Sequence, residues 1–361
     1  MEFQYYVIRR LLSIIPVLIG LSIITFVLMR SLPDNYLISQ YINPRSTVPL
    51  SVQAANAKVA LGLNEPVFVQ YFYYLSNLIK GNMGYMSTTF YTGPVLKGIE
   101  LFFPNTLQLV ILSLIISILI AVPVGTYIGN NRNSISDHVT RVFSLTGYAL
   151  PPFWLALMLQ LVFGRHVLNW FGAVLPISGA FPALPVVLPS WIILMDGGSV
   201  IVSTPTHMIF FDALIHGAWG IALGAFEHLI LPVLTLTYII LAGLLRFLRS
   251  GIIDASNQQY VTTARSKGLD EKIILKRHIR KNAMIPFTTV LGLLTAYMLG
   301  GVVLVELVFQ YPGMGLLTLY SALQLSIYGI IGTTLVFGLF MVLANFVVDI
   351  VLALLDPRIR Y

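Results

Sequence analysis

Six stretches of the chain carry no charged residue and are long enough to cross a bilayer: residues 11–29, 106–129, 142–164, 229–245, 283–305 and 328–348. A helix rises about 1.5 Å per residue, so roughly 20 apolar residues cross a hydrocarbon layer of about 30 Å. The run 229–245 is the shortest of the six. Polar and turn-forming stretches separate them, so the pattern predicts an all-α polytopic membrane protein with six transmembrane helices. Residues 167–195 are also uncharged, but Pro176, Pro182, Pro185 and Pro189 interrupt them. Prolines at that density break a helix, and no crossing is expected there.

Composition agrees with lipid as the solvent. The 361 residues are 57% hydrophobic and only 10% charged, whereas soluble chains are about 25% charged. The first run follows Arg9-Arg10 and has no small-residue cleavage site before Arg30, so it is read as an uncleaved span rather than a secretion signal. With no cysteine there is neither disulfide nor thiolate chemistry.

The charges that remain are unevenly placed. Arg9 and Arg10 precede the first run, Arg132 and Arg141 lie between the second and third, and Arg358 and Arg360 follow the sixth. Nine cations and three acids (Asp254, Asp270 and Glu271) lie between Arg246 and Lys281. These four segments hold 15 of the 21 basic residues. Basic residues near span ends stay on the cytoplasmic side, so both termini and these loops are expected inside. The stretch 31–103, and an enlarged loop at 165–228, then face outward. In the former, Tyr71, Phe72, Tyr73 and Tyr74 read as interfacial anchors or local packing rather than as a ligand site.

Little in the sequence suggests catalysis. No G-x-x-x-x-G-K-[ST] loop occurs, and the six histidines show no metal-ligand spacing. No catalytic, metal or cofactor-binding residue is expected, nor any nucleic-acid partner. Glu227, Glu306, Asp349 and Asp356 fall near span ends, where water access would satisfy them. The pairs Gly125/Gly129 and Gly220/Gly224 have the spacing that lets helices approach closely. Gly300-Gly301 and "YPGMG" at 311–315 are expected to shape the outer end of the fifth span.

The densest charge cluster has a pattern of its own. In "YVTTARSKGLDEKIILKRHIRKNAMIP" (260–286), a short helix over 257–267 gathers Tyr260, Val261 and Ala264 on one side, and Gly268 is placed to end it in a left-handed turn. Asp270 is a suitable N-cap for a second helix, with Glu271 in its first turn and cations in its last turns. A topology signal, a lipid anchor and a docking surface all need cations. A topology signal needs no paired helices, and a lipid anchor prefers uninterrupted basic amphipathicity, so the punctuated pair favours docking.

The same stretch resembles the cytoplasmic coupling loop of permease subunits in the dipeptide/oligopeptide branch of ABC importers. "YYVIRRLLSIIPVLIGLSIITFVLMRSLP", "NEPVFVQYFYYLSNLIKGNMGY", "FFPNTLQLVI", "HLILPVLTL", "VELVFQYPGMG" and "LLDPRIR" are similar to further landmarks of that branch, in order along nearly the whole chain. The general importer loop reads E-A-A, three residues, then Gly. Here Thr262-Thr263-Ala264 precedes Gly268, so only the second alanine and the glycine are retained.

The resemblance implies a type I ABC importer permease fold in the cell membrane, surrounded by lipid. It divides the chain into a first span (1–30), an extracytoplasmic segment (31–103) and a core of five spans (104–361) with a coupling loop at 246–284. It further implies a second permease subunit, two ATP-binding cassette ATPases that bind the ATP, and an external solute-binding protein. The ATPase-coupling interface would comprise Tyr260, Val261, Ala264, Arg265, Gly268 and Leu269. Peptides rank first as cargo and oligosaccharides second; nickel and opines are also carried within the branch. An ion-coupled transporter and a transport-inactive scaffold are the readings from other classes. The former calls for inverted repeats and buried ion-binding carboxylates, neither of which the sequence displays.

Overall fold

The structure, a computed structural model, describes residues 3–43, 46–166, 175–182, 184, 187–195 and 200–355. Pro185, residues 167–174 and the C-terminal Asp356, Arg358 and Arg360 singled out above lie outside the described residues. Among the described residues, five helices are long and apolar enough to cross a membrane: α1 (Phe3–Arg30), α5 (Val95–Asn130), α9 (Trp219–Ser256), α11 (Glu271–Phe309) and α13 (Ile327–Leu355). The sixth crossing is broken. Helices α6 (Ile135–Ala149) and α7 (Pro152–Leu161) meet at a bend of 109°. The run 142–164, read from sequence as one span, therefore contains a corner. Pro151 disfavours helical geometry at Leu150, which is extended (φ −85°, ψ 128°), and Pro152 starts a fresh helix where its missing N–H is harmless.

Helix α9 is the centre of the bundle, packed most extensively on α5 and then on α11 and α6. Most of its apolar window is buried, which explains why its charge-free run is the shortest: neighbouring helices, rather than lipid, cover it. Both α5 and α9 exceed 35 residues, so each is over 50 Å long at about 1.5 Å per residue and projects beyond the hydrocarbon. Gly125 and Gly129 form the contact between them. A Cβ at Gly125 would lie 2.8 Å from the Leu248 side chain, and one at Gly129 2.6 Å from that of Ile252. The second glycine pair behaves differently: Gly220 faces open space and Gly224 meets Pro182 in a loop, so it joins no helices.

The segment after α1 folds into α2 (Asp34–Tyr41), α3 (Leu50–Ala60), α4 (Val67–Ile79) and a hairpin of β1 (Tyr85–Ser87) with β2 (Thr92–Pro94). Tyr71 and Tyr74 turn inward, their hydroxyls hydrogen-bonded to Ser22 (2.8 Å) and Thr25 (2.9 Å) of α1, while Phe72 and Tyr73 are exposed. Helix α5 runs unbroken through residues 103–104. A second small hairpin, β3 (Ile192–Met195) with β4 (Val200–Ser203), leads into α8 (Ile209–Ile215). Buried Asp212 ties them together by accepting from Ser203 Oγ (2.6 Å) and from the backbone N–H and hydroxyl of Thr206 (both 2.8 Å). Between α11 and α13 lies α12 (Met314–Leu323).

Candidate functional site: the loop between α9 and α11

Helix α10 (Gln259–Ser266) follows α9 after a turn at Asn257-Gln258. Its far end is closed by a Schellman motif: Leu269 N–H donates to Ala264 O (3.3 Å) and Gly268 N–H to Arg265 O (2.9 Å). Gly268 has φ +74°, a conformation that glycine enters without steric penalty. Asp270 then caps the next helix, its carboxylate accepting from Lys272 N–H (2.8 Å). The first turns of α11 include a π-helical stretch at Ile274–Ile279. Arg265 donates to both carboxylate oxygens of Glu271 (2.7 and 3.2 Å), and this hydrogen bonding raises the guanidinium above its ordinary pKa. Both groups are solvated, so the pair orients the two helices without adding much stability.

The six expected coupling residues divide into two sets. Val261 (0% exposed) and Ala264 (6%) point into the chain's own core, in the same cluster as Ile252, Ala255, Ile274 and Ile279. They seat α10 on the ends of α9 and α11. Tyr260 (38%) and Leu269 (39%) are exposed together with Arg265 and Gly268, and form the outward surface. The apolar cluster of Tyr260, Val261 and Ala264 expected from sequence is therefore split. A helix this short has one apolar stripe, and the protein's own core occupies it.

Beneath this element is an ionic brace centred on Asp137. Asp137, fully buried on α6, accepts from Nε and Nη2 of Arg249 on α9, from Nη2 of Arg141 (2.7 Å) and from Asn133 N–H (3.0 Å). Arg132 reaches Asn257 Oδ1 (3.3 Å) at the start of the α9–α10 turn. The brace fixes the last turns of α9, and hence the base of α10, to α6. Asp137 and Arg249 are 112 residues apart; the only hint was one acid among the basic residues of 132–141.

At the opposite end of α11, Glu306 corrects an expectation. It is fully buried rather than placed at a wet interface. Thr106 Oγ1 donates to its Oε1 (2.6 Å) and Leu316 N–H to its Oε2 (3.1 Å), while Met314 N–H donates to Thr106 Oγ1 (2.8 Å). The carboxyl group thereby caps α12 and links it to α5. "YPGMG" supplies the necessary clearance. A Cβ at Gly313 would lie 2.2 Å from the Glu306 carboxyl, and one at Gly315 2.7 Å from both that carboxyl and the Val303 backbone. Three of the histidines serve structure: His207, His216 and His228 each place Nδ1 within hydrogen-bond distance of a backbone carbonyl.

A bundle of five long helices and one broken span, with a capped helical pair at one end, is the architecture of an importer permease. The chain belongs to the family described as "Binding-protein-dependent transport system inner membrane component", which matches residues 121–361; the N-terminal component of the same systems matches 3–98. Over 99% of both chains it is 34% identical to the dipeptide transport system permease protein DppB of Alkalihalophilus pseudofirmus and 32% identical to the oligopeptide transport system permease protein AppB of Bacillus subtilis. It is 33% identical to the probable D,D-dipeptide transport system permease protein DdpB of Escherichia coli, over 97% of this chain and 96% of that one.

Proposed function

We propose that this chain is one of the two membrane-spanning subunits of an ATP-driven peptide importer. It would lie in the cell membrane with both termini cytoplasmic, beside a second permease subunit, above two ATP-binding cassette ATPases and below an external solute-binding protein. ATP would be bound and hydrolysed on the ATPases. The observation that carries this reading is the surface of α10 and its cap: a short helix, rigidly seated by Val261 and Ala264, that presents Tyr260, Arg265 and Leu269 outward. Movement of an ATPase against that surface would be transmitted through the Asp137 brace to α6 and α9 and rock the bundle. Such coupling requires the contacts to differ between outward- and inward-open states.

Peptides are the proposed cargo because relatives similar over nearly the whole chain are named as dipeptide and oligopeptide permeases. An ion-coupled carrier would need a carboxylate free to bind the coupling ion. The buried carboxyls Glu306, Asp137 and Asp212 each receive protein donors instead. The test is uptake into proteoliposomes containing the full complex. ATP-dependent accumulation of a labelled tripeptide, with none of a labelled trisaccharide, is expected. Accumulation of the sugar alone would overturn the choice of cargo, and uptake driven by an ion gradient without ATP would overturn the class.

A further inference from the structure

The end of the bundle that carries the basic loop contains a cavity of about 230 Å³ between α5, α6 and α9. Arg141, Arg246 and Arg249 line it, with Thr140, Ser144 and Leu145, and no carboxylate does. Asp137 stands beside Arg141 and Arg249, with both oxygens occupied, and fixes their orientation. Three guanidiniums against one carboxylate leave a formal surplus of two positive charges. Arg246 takes part in no ion pair among the described residues; its guanidinium lies 5.8 Å from the centre of the Tyr148 ring. The Arg141 Nε–H is buried and has no acceptor. Such a set of donors suits a phosphate, which offers several acceptor oxygens in the geometry a guanidinium matches.

The depth of the cavity indicates where that phosphate comes from. The charge-free run of α9 ends at Leu245, directly before Arg246, and that of the third crossing begins at Val142, directly after Arg141. Straight through the bundle, α9 therefore places its first cation, Arg246, at the edge of the hydrocarbon, at headgroup level, and Arg141 of α6 lines the same cavity. Beside the arginines, α6 exposes Ile135, Val139, Val142, Leu145 and Tyr148, which recur every three to four residues and so share one face. Leu145 belongs both to that stripe and to the cavity wall. A ligand with an anionic head and apolar chains would satisfy both at once.

We propose that this cavity binds the phosphodiester of an anionic phospholipid, the acyl chains lying along the exposed stripe of α6. The bound lipid would neutralise the surplus charge and stiffen the α6–α9 contact that supports α10. This inference does not depend on which solute is carried.

The test is native mass spectrometry of the full-length chain in nonionic detergent, titrated separately with dioleoyl phosphatidylglycerol, dioleoyl phosphatidylcholine and inorganic phosphate. The chain should retain phosphatidylglycerol in preference to phosphatidylcholine. Arg246→Gln, which breaks no ion pair, should weaken that binding about tenfold, and Arg277→Gln, exposed on the basic loop, should leave it unchanged. Equal retention of the two lipids, or an Arg246→Gln variant that binds phosphatidylglycerol normally, would overturn the site. Inorganic phosphate binding as tightly as phosphatidylglycerol, and depending on Arg246, would overturn the lipid source. If Arg246→Gln, assembled into the full complex and measured in the same way, keeps its lipid but releases the second permease subunit, the arginines belong to a subunit interface and the proposal fails.

Discussion

Glu306 shows most plainly how one residue organises an end of the bundle. Alanine there would strand the Thr106 hydroxyl and the Leu316 N–H, each a buried donor that costs about 1–3 kcal/mol when unmet. Glutamine is nearly isosteric, but its amide nitrogen would face one of those donors. Both variants should lower the melting temperature in detergent by several degrees, alanine more than glutamine. A silent glutamine variant would mean that only the volume of the side chain matters. The sequence announced part of this site without explaining it: "YPGMG" stood out as turn chemistry, whereas Thr106, the hydroxyl that anchors the carboxyl, lies 200 residues away from Glu306. Burial of the glutamate was not legible because it depends on α12 folding back over it.

Among the elements, α10 separates residues that hold the loop from residues that face outward. Ala264→Arg would force a cation into the chain's own core, so it should unseat α10 and raise protease sensitivity between α9 and α11. Tyr260→Ala and Leu269→Ala trim side chains that face outward and lie outside the buried cluster under α10; they should leave protease resistance intact and weaken co-purification of the ATPases. Equal protease resistance in all three variants would contradict this division. Gly268→Val must place a β-branched residue at φ +74°, at a cost of about 1–2 kcal/mol or more. The Schellman motif should open, and uptake should fall while the permease remains in the membrane at normal levels. Lys272→Gln, outside the core, should be neutral; normal uptake by Gly268→Val would show that the turn is dispensable. The glycine turn, the Asp270 cap and the close packing at Gly125 and Gly129 were legible because they follow from local spacing. The corner between α6 and α7 was half legible, since Pro151-Pro152 sat inside a run that hydropathy alone read as continuous. The Asp137 brace was hidden because it joins residues distant in sequence.

At the scale of the whole molecule, the six apolar runs correspond, among the described residues, to five long helices and one broken crossing, and the proposed direction rests on the charge pattern. Single cysteines at Asn56 and Ser256 test that direction. The first should react with an impermeant thiol reagent applied from outside and the second only after permeabilisation; the reverse would invert the proposed topology. The central claim is that α10 transmits ATP-driven motion to the bundle. It is tested most directly by ATP-dependent uptake of a labelled peptide into proteoliposomes whose complex carries Leu269→Asp. This substitution places a charge on the outward surface formed by α10 and its cap, outside the buried cluster beneath it. Uptake should fall to background while the permease is inserted at wild-type levels. Wild-type uptake by that complex would contradict the account.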